Sequence, residues 1–253
     1  GAGVGVRHAG GVRGIVAALI KRTSPDLVRA KPLNVIATFQ TRTDLRQWGH
    51  VYGMGVVMAV RKILNLSKYE KLLRTPSEPV KKNDRDLKKL IADIKDTIEA
   101  NPAVGLAAVQ IGVMKRVFGV RLGYYEDQPD EEMQPATIFI NSEILEKSID
   151  TARDFDACLS IPGMFGYTNR HLVIKVRYTD EDGKVQEREF TGWDARAIQH
   201  EQDHVDGILF LDRLDSLDDL YVVSRGADGK PKNIPYKEAV KQAETLAQTN
   251  KES

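Results

Sequence analysis

The chain has 253 residues, 37 Lys and Arg against 36 Asp and Glu, one cysteine and 42% hydrophobic residues. That allows one domain with appendages and a sizeable core, and a net charge of +1 argues against a nucleic-acid binder that works through a broad basic surface. A single cysteine excludes an internal disulfide and every multi-cysteine zinc module. The longest apolar run, residues 51–60, holds ten residues with two glycines and is too short to span a membrane as a helix.

Residues 1–53 carry eight Lys/Arg and only two acids, Asp26 and Asp44, with no sustained apolar period. An arginine-rich, acid-poor stretch has the composition of an organelle transit segment; a flexible leader, or upstream sequence ahead of a start at Met54 or Met58, are the bland readings. Residues 1–57 are therefore expected to be an N-terminal extension, 58–215 a catalytic domain and 216–253 a tail with a helix. A transit segment would send the protein to a mitochondrion or plastid; otherwise a bacterial cytoplasm is expected.

From residue 58 onward the pattern is that of a compact domain. Residues 59–66 read as a strand and 68–80, with Pro76 and Pro79, as irregular chain. Asn83 is placed to cap a helix over 84–99, where Leu87, Leu90, Ile91, Ile94 and Ile98 recur at helical spacing. Residues 116–122 and 136–140 are short strand candidates, separated by an acidic loop over 124–134. Residues 172–190 alternate apolar and polar on either side of Asp182-Gly183, the pattern of a hairpin. A helix is expected over 194–206 and another over 236–248, after Pro235. Strands leading into a central helix, without βαβ alternation, indicate an α+β fold.

The chemistry concentrates in Gln199-His200-Glu201-Gln202-Asp203-His204. Residues four apart share a helix face, so His200 and His204 can offer two imidazoles to one metal. Glu201, beside the first ligand, is placed to act as general acid/base on a water. The third ligand separates enzyme classes. Phe210 stands where a metzincin would have its third histidine, and Glu238 alone is remotely eligible as a thermolysin-like glutamate. The other strong donor is Cys158, although a buried apolar role is the commoner fate of a lone thiol.

A third stretch, Asn101 to Gly112, combines small residues with one amide, Gln110; by itself it reads as a tightly packed turn into a strand. Taken in order, GLAAVQIG, ACLSIPG and QHEQDH resemble the three motifs of peptide deformylase, and the tract from Cys158 to Leu214 is similar to that family throughout. The resemblance spans Val60 to Leu214. It implies small mixed or antiparallel sheets packed around a central metal-binding helix, with Cys158, His200 and His204 holding one divalent ion. That ion is iron(II) by family habit, with zinc, nickel or cobalt also able to bind. It further implies removal of the formyl group from N-formylmethionyl nascent chains, with Glu201 as proton carrier and Gln110 and the backbone N–H of Leu159 facing the oxyanion. Val104 and Gly105 would line the substrate channel, and methionine would enter an apolar pocket beside the histidine-bearing helix. A ribosome contact through the C-terminal helix is a further family possibility, while no membrane or direct nucleic-acid partner is expected.

The chain departs from the family pattern at three places. Ala103 and Ala157 replace glycines, and Asp156 replaces the usual glutamate. If position 157 needs a positive φ, alanine there costs about 1 kcal/mol or more. The shorter Asp156 is expected to re-form an ion pair with Arg170. A catalytically silent peptide-binding protein of the same fold and a metallopeptidase acting on ordinary amides are the competing readings; the presence of Glu201 speaks against the former.

Overall fold

The computed structural model describes residues 59–123, 134–226 and 230–252; the expected extension and most of the acidic loop lie outside the described residues. Two helices come first, α1 (Leu66–Leu73) and α2 (Leu87–Glu99). Then follow β1 (Gly105–Ala107), a 3-10 turn (Ala108–Ile111), β2 (Val117–Val120), β3 (Thr137–Lys147), β4 (Thr151–Ala157), β5 (Met164–His171), β6 (Val173–Thr179) and β7 (Val185–Thr191). The long helix α3 (Gly192–Val205) leads through two 3-10 turns to β8 (Leu220–Arg225), β9 (Pro231–Pro235) and α4 (Tyr236–Glu252).

The strands form two sheets, β1-β2-β3-β6-β7 and β4-β5-β8-β9, and every pairing is antiparallel. The first sheet lies between two helices because its strands alternate two apolar sets. Val117, Ile138, Ile140 and Leu106 face Leu90, Ile91, Ile94 and Ile98 of α2. Phe118, Val120, Phe139 and Val176 pack in the cluster that holds Ala195, Ile198 and Val205 of α3. Side chains that alternate along a strand go to opposite faces, so β1, β2 and β3 each serve both helices at once. The α+β architecture around a central helix is thus realised, with antiparallel sheets.

Several elements differ from the sequence expectations for identifiable reasons. Residues 59–65 make no strand: the Leu64 N–H donates to the Gln110 carbonyl at 2.8 Å and the Leu66 N–H to the Ser160 carbonyl at 2.8 Å, single bonds to two turns in place of a ladder. Helix α1 then begins at the end of the expected strand and runs into the stretch expected to be irregular, capped by Asn65, whose side-chain oxygen accepts from the Ser67 N–H at 3.0 Å. Asn83 does not cap α2. The Asp84 carboxylate instead accepts the Asp86 N–H at 3.1 Å and pairs with Lys115 at 2.6 Å, holding a turn that delays the helix to Leu87.

Strand β3 runs beyond the expected residue 140 through a register shift. Asn141 sits there with φ +50°, and its amide pairs both ways with the Val80 backbone, at 2.7 and 2.9 Å. The hairpin over β6 and β7 is as expected, turning on Gly183 at φ +82°. Strands β4 and β5 were not anticipated at all.

Phe139 is fully buried, with ring centroids of Phe118, Tyr178 and Phe190 at 5.0, 4.3 and 5.7 Å. Phe139→Ala is expected to lower unfolding stability by about 3–5 kcal/mol in urea titration. Val185→Thr, at a position 69% exposed, should leave it within about 0.5 kcal/mol. Equal midpoints for the two variants would contradict this placement of the core.

Candidate metal centre

Helix α3 carries both histidines on the side turned toward the β4–β5 hairpin. Their rings lie 5.0 Å apart, centroid to centroid, and are inclined by 73°. The loop after β4 brings Cys158 to them: its Sγ is 3.2 Å from His204 Nε2, and the donor atoms of Cys158, His200 and His204 all lie within 4.8 Å of one another. In a tetrahedral site with one thiolate and imidazoles, ligand atoms sit roughly 3.4–3.6 Å apart, so this cluster fits a single cation. It is the one such group of three among the described residues. Phe210 is instead a core residue at 1% exposure, and Glu238 lies on α4, where it accepts from Gln242 at 2.9 Å.

The hairpin registers explain how the histidine is aimed. Asp156 is opposite Gly166, Asp154 opposite Thr168 and Ala152 opposite Arg170, so Asp156, Thr168 and Arg170 project from one face of the pair. Asp156 accepts from Thr168 Oγ1 at 2.8 Å and from Arg170 Nε at 2.8 Å, and its other oxygen meets His200 Nδ1 at 2.5 Å. With Nδ1 donating to the carboxylate, Nε2 is left as the ligand nitrogen of His200. Burial opposes the charge on Asp156, but His200 and Arg170 outweigh it and hold the carboxyl well below its usual range. Burial likewise disfavours a charged His200, and the facing Asp156 overcomes it, raising that imidazole well above its ordinary value. Burial and the neighbouring His200 push His204 the other way, toward the neutral form that ligates metal.

The expected Asp156–Arg170 ion pair is therefore present, and it continues. Arg170 reaches Asp203 at 2.9 Å, and Arg213 reaches the same carboxylate at 2.5 Å. Asn141 is the one non-glycine residue with positive φ among the described residues. Ala157, the last residue of β4 and opposite Phe165, thus sits in ordinary strand geometry, and the anticipated strain at this alanine is absent.

Around the cluster, Gln110 ends the 3-10 turn after β1. The Ala107 N–H donates to its Oε1 at 2.8 Å, which directs Nε2 to Cys158 Sγ at 3.4 Å and Ser160 Oγ at 3.3 Å. Glu201 is buried, and its Oε2 has no hydrogen-bond partner among the described residues. Desolvation raises its carboxyl to about 7. Its side chain lies against the Gly105 backbone: a Cβ at that position would stand 2.5 Å from Glu201 Oε1 and 2.8 Å from Cγ, so only glycine leaves the carboxyl its place. Val104 and Leu159 are partly buried, packed on the two core clusters respectively. Sequence reasoning missed Thr168, Asp203 and the hold of Asp156 on His200. The only available signal was the even spacing of Asp156, Thr168 and Arg170, and it has meaning only once β4 and β5 are known to be paired strands.

A family model described as "Polypeptide deformylase" matches residues 60–219. A peptide deformylase of Phenylobacterium zucineum is 41% identical over 160 residues, covering 63% of this chain and 90% of the relative. That of Rhizorhabdus wittichii is 39% identical over 160 residues, covering 63% and 89%. Among solved structures, the peptide deformylase of Ehrlichia chaffeensis in complex with actinonin is 36% identical with a TM-score of 0.56, covering 63% of this chain and 91% of that one. Three ordered motifs, the antiparallel sheets around α3 and the converging thiol and imidazoles agree with these matches: the chain belongs to the peptide deformylase family, whose members are metal-dependent hydrolases.

Proposed function

We propose that this deformylase cleaves the formyl amide of N-formylmethionyl peptides with Glu201 as proton carrier and with Gln110 and the Leu159 backbone N–H as oxyanion donors. Cys158, His200 and His204 would hold one divalent cation beside them. The observation that carries the reading is the convergence of Cys158 Sγ with both imidazoles, within 4.8 Å, next to a buried, unpartnered carboxyl oxygen of Glu201. A bound cation supplies a water of lowered pKa and polarises the formyl carbonyl. One thiolate and two imidazoles suit iron(II), zinc, nickel or cobalt; iron(II) is our choice for the native ion.

The chain's own residues supply the rest. Glu201, desolvated and raised to about 7, exchanges a proton near neutral pH, as a general acid/base requires. It takes the proton of the attacking water and returns it to the peptide nitrogen as the formyl C–N bond breaks, leaving formate and a free amino terminus. Gln110 Nε2, fixed by the backbone bond to its Oε1, offers a donor that needs no reorganisation when the oxygen gains charge. Among the described residues strand β1 has one strand neighbour, β2; its other edge, with Val104 just before it and Gly105 at its start, is where an extended peptide would lie. Methionine would enter between that edge and α3.

The direct test is formate release from formyl-Met-Ala-Ser under oxygen-free conditions, alongside metal analysis. Formate in proportion to bound metal is expected, and metal-loaded protein that releases none would overturn the reading. Glu201→Ala should retain metal and lose turnover by roughly 10²-fold or more, whereas Cys158→Ser should lose metal, a hydroxyl being the poorer ligand. Gly105→Ala tests the packing against Glu201. With a Cβ 2.5 Å from Oε1, the carboxyl must shift, and kcat should fall by roughly 10-fold or more at unchanged metal content; wild-type kcat would show that Glu201 does not depend on this glycine.

A further inference from the structure

We propose that Arg196 is a positioning residue for the metal centre, setting the separation between the thiolate on the β4 side and the imidazoles on α3. The proposal rests on the ligand assignment above. Arg196 stands one turn before His200 on α3 and is 6% exposed. Arg170 and Arg213 are held by carboxylates, but the bonds of Arg196 run to main-chain carbonyls. Its Nε donates to the Phe155 carbonyl at 2.9 Å and Nη1 to that of Ala152 at 3.3 Å. Nη2 donates to the carbonyls of Asp154 and Thr168, the latter at 2.8 Å, and to Thr168 Oγ1 at 2.9 Å.

Three of those carbonyls belong to β4, which ends one residue before Cys158. Among the described residues that strand has a single strand neighbour, β5, so its position over the helix depends on contacts from α3. Thr168 closes a second route to the ligands. Its hydroxyl accepts from Arg196 and donates to Asp156, whose other oxygen orients His200. One guanidinium therefore touches the segment that carries the sulfur and, through Thr168 and Asp156, the ring that carries a nitrogen. A planar group with five fixed donors can hold several carbonyls in one geometry; an ammonium can satisfy fewer of them and in no fixed plane. Its partners are neutral oxygens, so what it contributes here is geometry across the gap between strand and helix.

The experiment uses full-length protein loaded with cobalt(II). It compares Arg196→Met, which keeps an apolar stem of similar length, with Arg196→Lys and with Ile94→Ala. Ile94 packs on the far side of the first sheet, so that variant loses stability without touching the centre. Cobalt release to a chelator should be roughly 10-fold faster or more in Arg196→Met, with a weakened thiolate-to-cobalt absorption band, and intermediate in Arg196→Lys. Ile94→Ala should release at the wild-type rate at a temperature where it remains folded. Release and band unchanged within twofold in Arg196→Met would overturn the proposal, as would equal loosening in Ile94→Ala. If Arg196→Met yields no folded protein, Arg196→Lys decides: faster release supports the proposal and wild-type release overturns it. Wild-type protein that takes up no cobalt would overturn the ligand assignment itself, an outcome distinct from an unaltered variant.

Discussion

A charged carboxylate kept out of water is the constraint on which the rest of this molecule turns. Asp156 is 5% exposed, and a charge in that setting is tolerable only with close, well-directed partners. It finds them in two segments: Thr168 and Arg170 across the hairpin on β5, and His200 on α3. Meeting the electrostatic demand of one aspartate thus docks the second sheet on the helix. Arg170 and Arg213 pair with Asp156 and Asp203, and Asp156 meets Nδ1 of His200, which leaves Nε2 as the nitrogen able to ligate.

The shorter side chain at this position changes less than its sequence suggests. Asp156 still spans to Arg170 and to His200, because the residues that meet it come from the same strand face and from a helix able to close on them. Ala157 beside it is ordinary extended backbone. The hairpin thus accommodates Asp156 and Ala157, with Cys158, His200 and His204 grouped beside it.

How much of this was legible in the sequence follows from which forces were at work. Helix α2 was visible because its apolar residues follow a helical period, and the β6–β7 hairpin because Asp182-Gly183 supplies the backbone its turn requires. The helix of the candidate metal centre was visible because His-Glu-x-x-His spacing is a geometric statement about one face. Strands β4 and β5 were not, because the face they turn to the helix carries Asp156, Thr168 and Arg170, and alternation of hydrophobicity cannot register a buried polar face. Cys158 taken alone read more readily as a core residue than as a ligand; only the resemblance made it a donor, and the hairpin sets it beside His204. Arg196 stood only as part of the tract similar to the family: on a helical pattern it is one more polar residue, and only the strand crossing above it makes its donors meaningful.

The first sheet has a further consequence. It is a partition one residue thick, with Val117 turned to α2 and Phe118 to α3. Packing changes among the aliphatic residues behind the partition are felt first by α2, and they reach the centre where Leu159 and the turn carrying Gln110 pack on that cluster. That division of the core is built into the alternation of β1, β2 and β3.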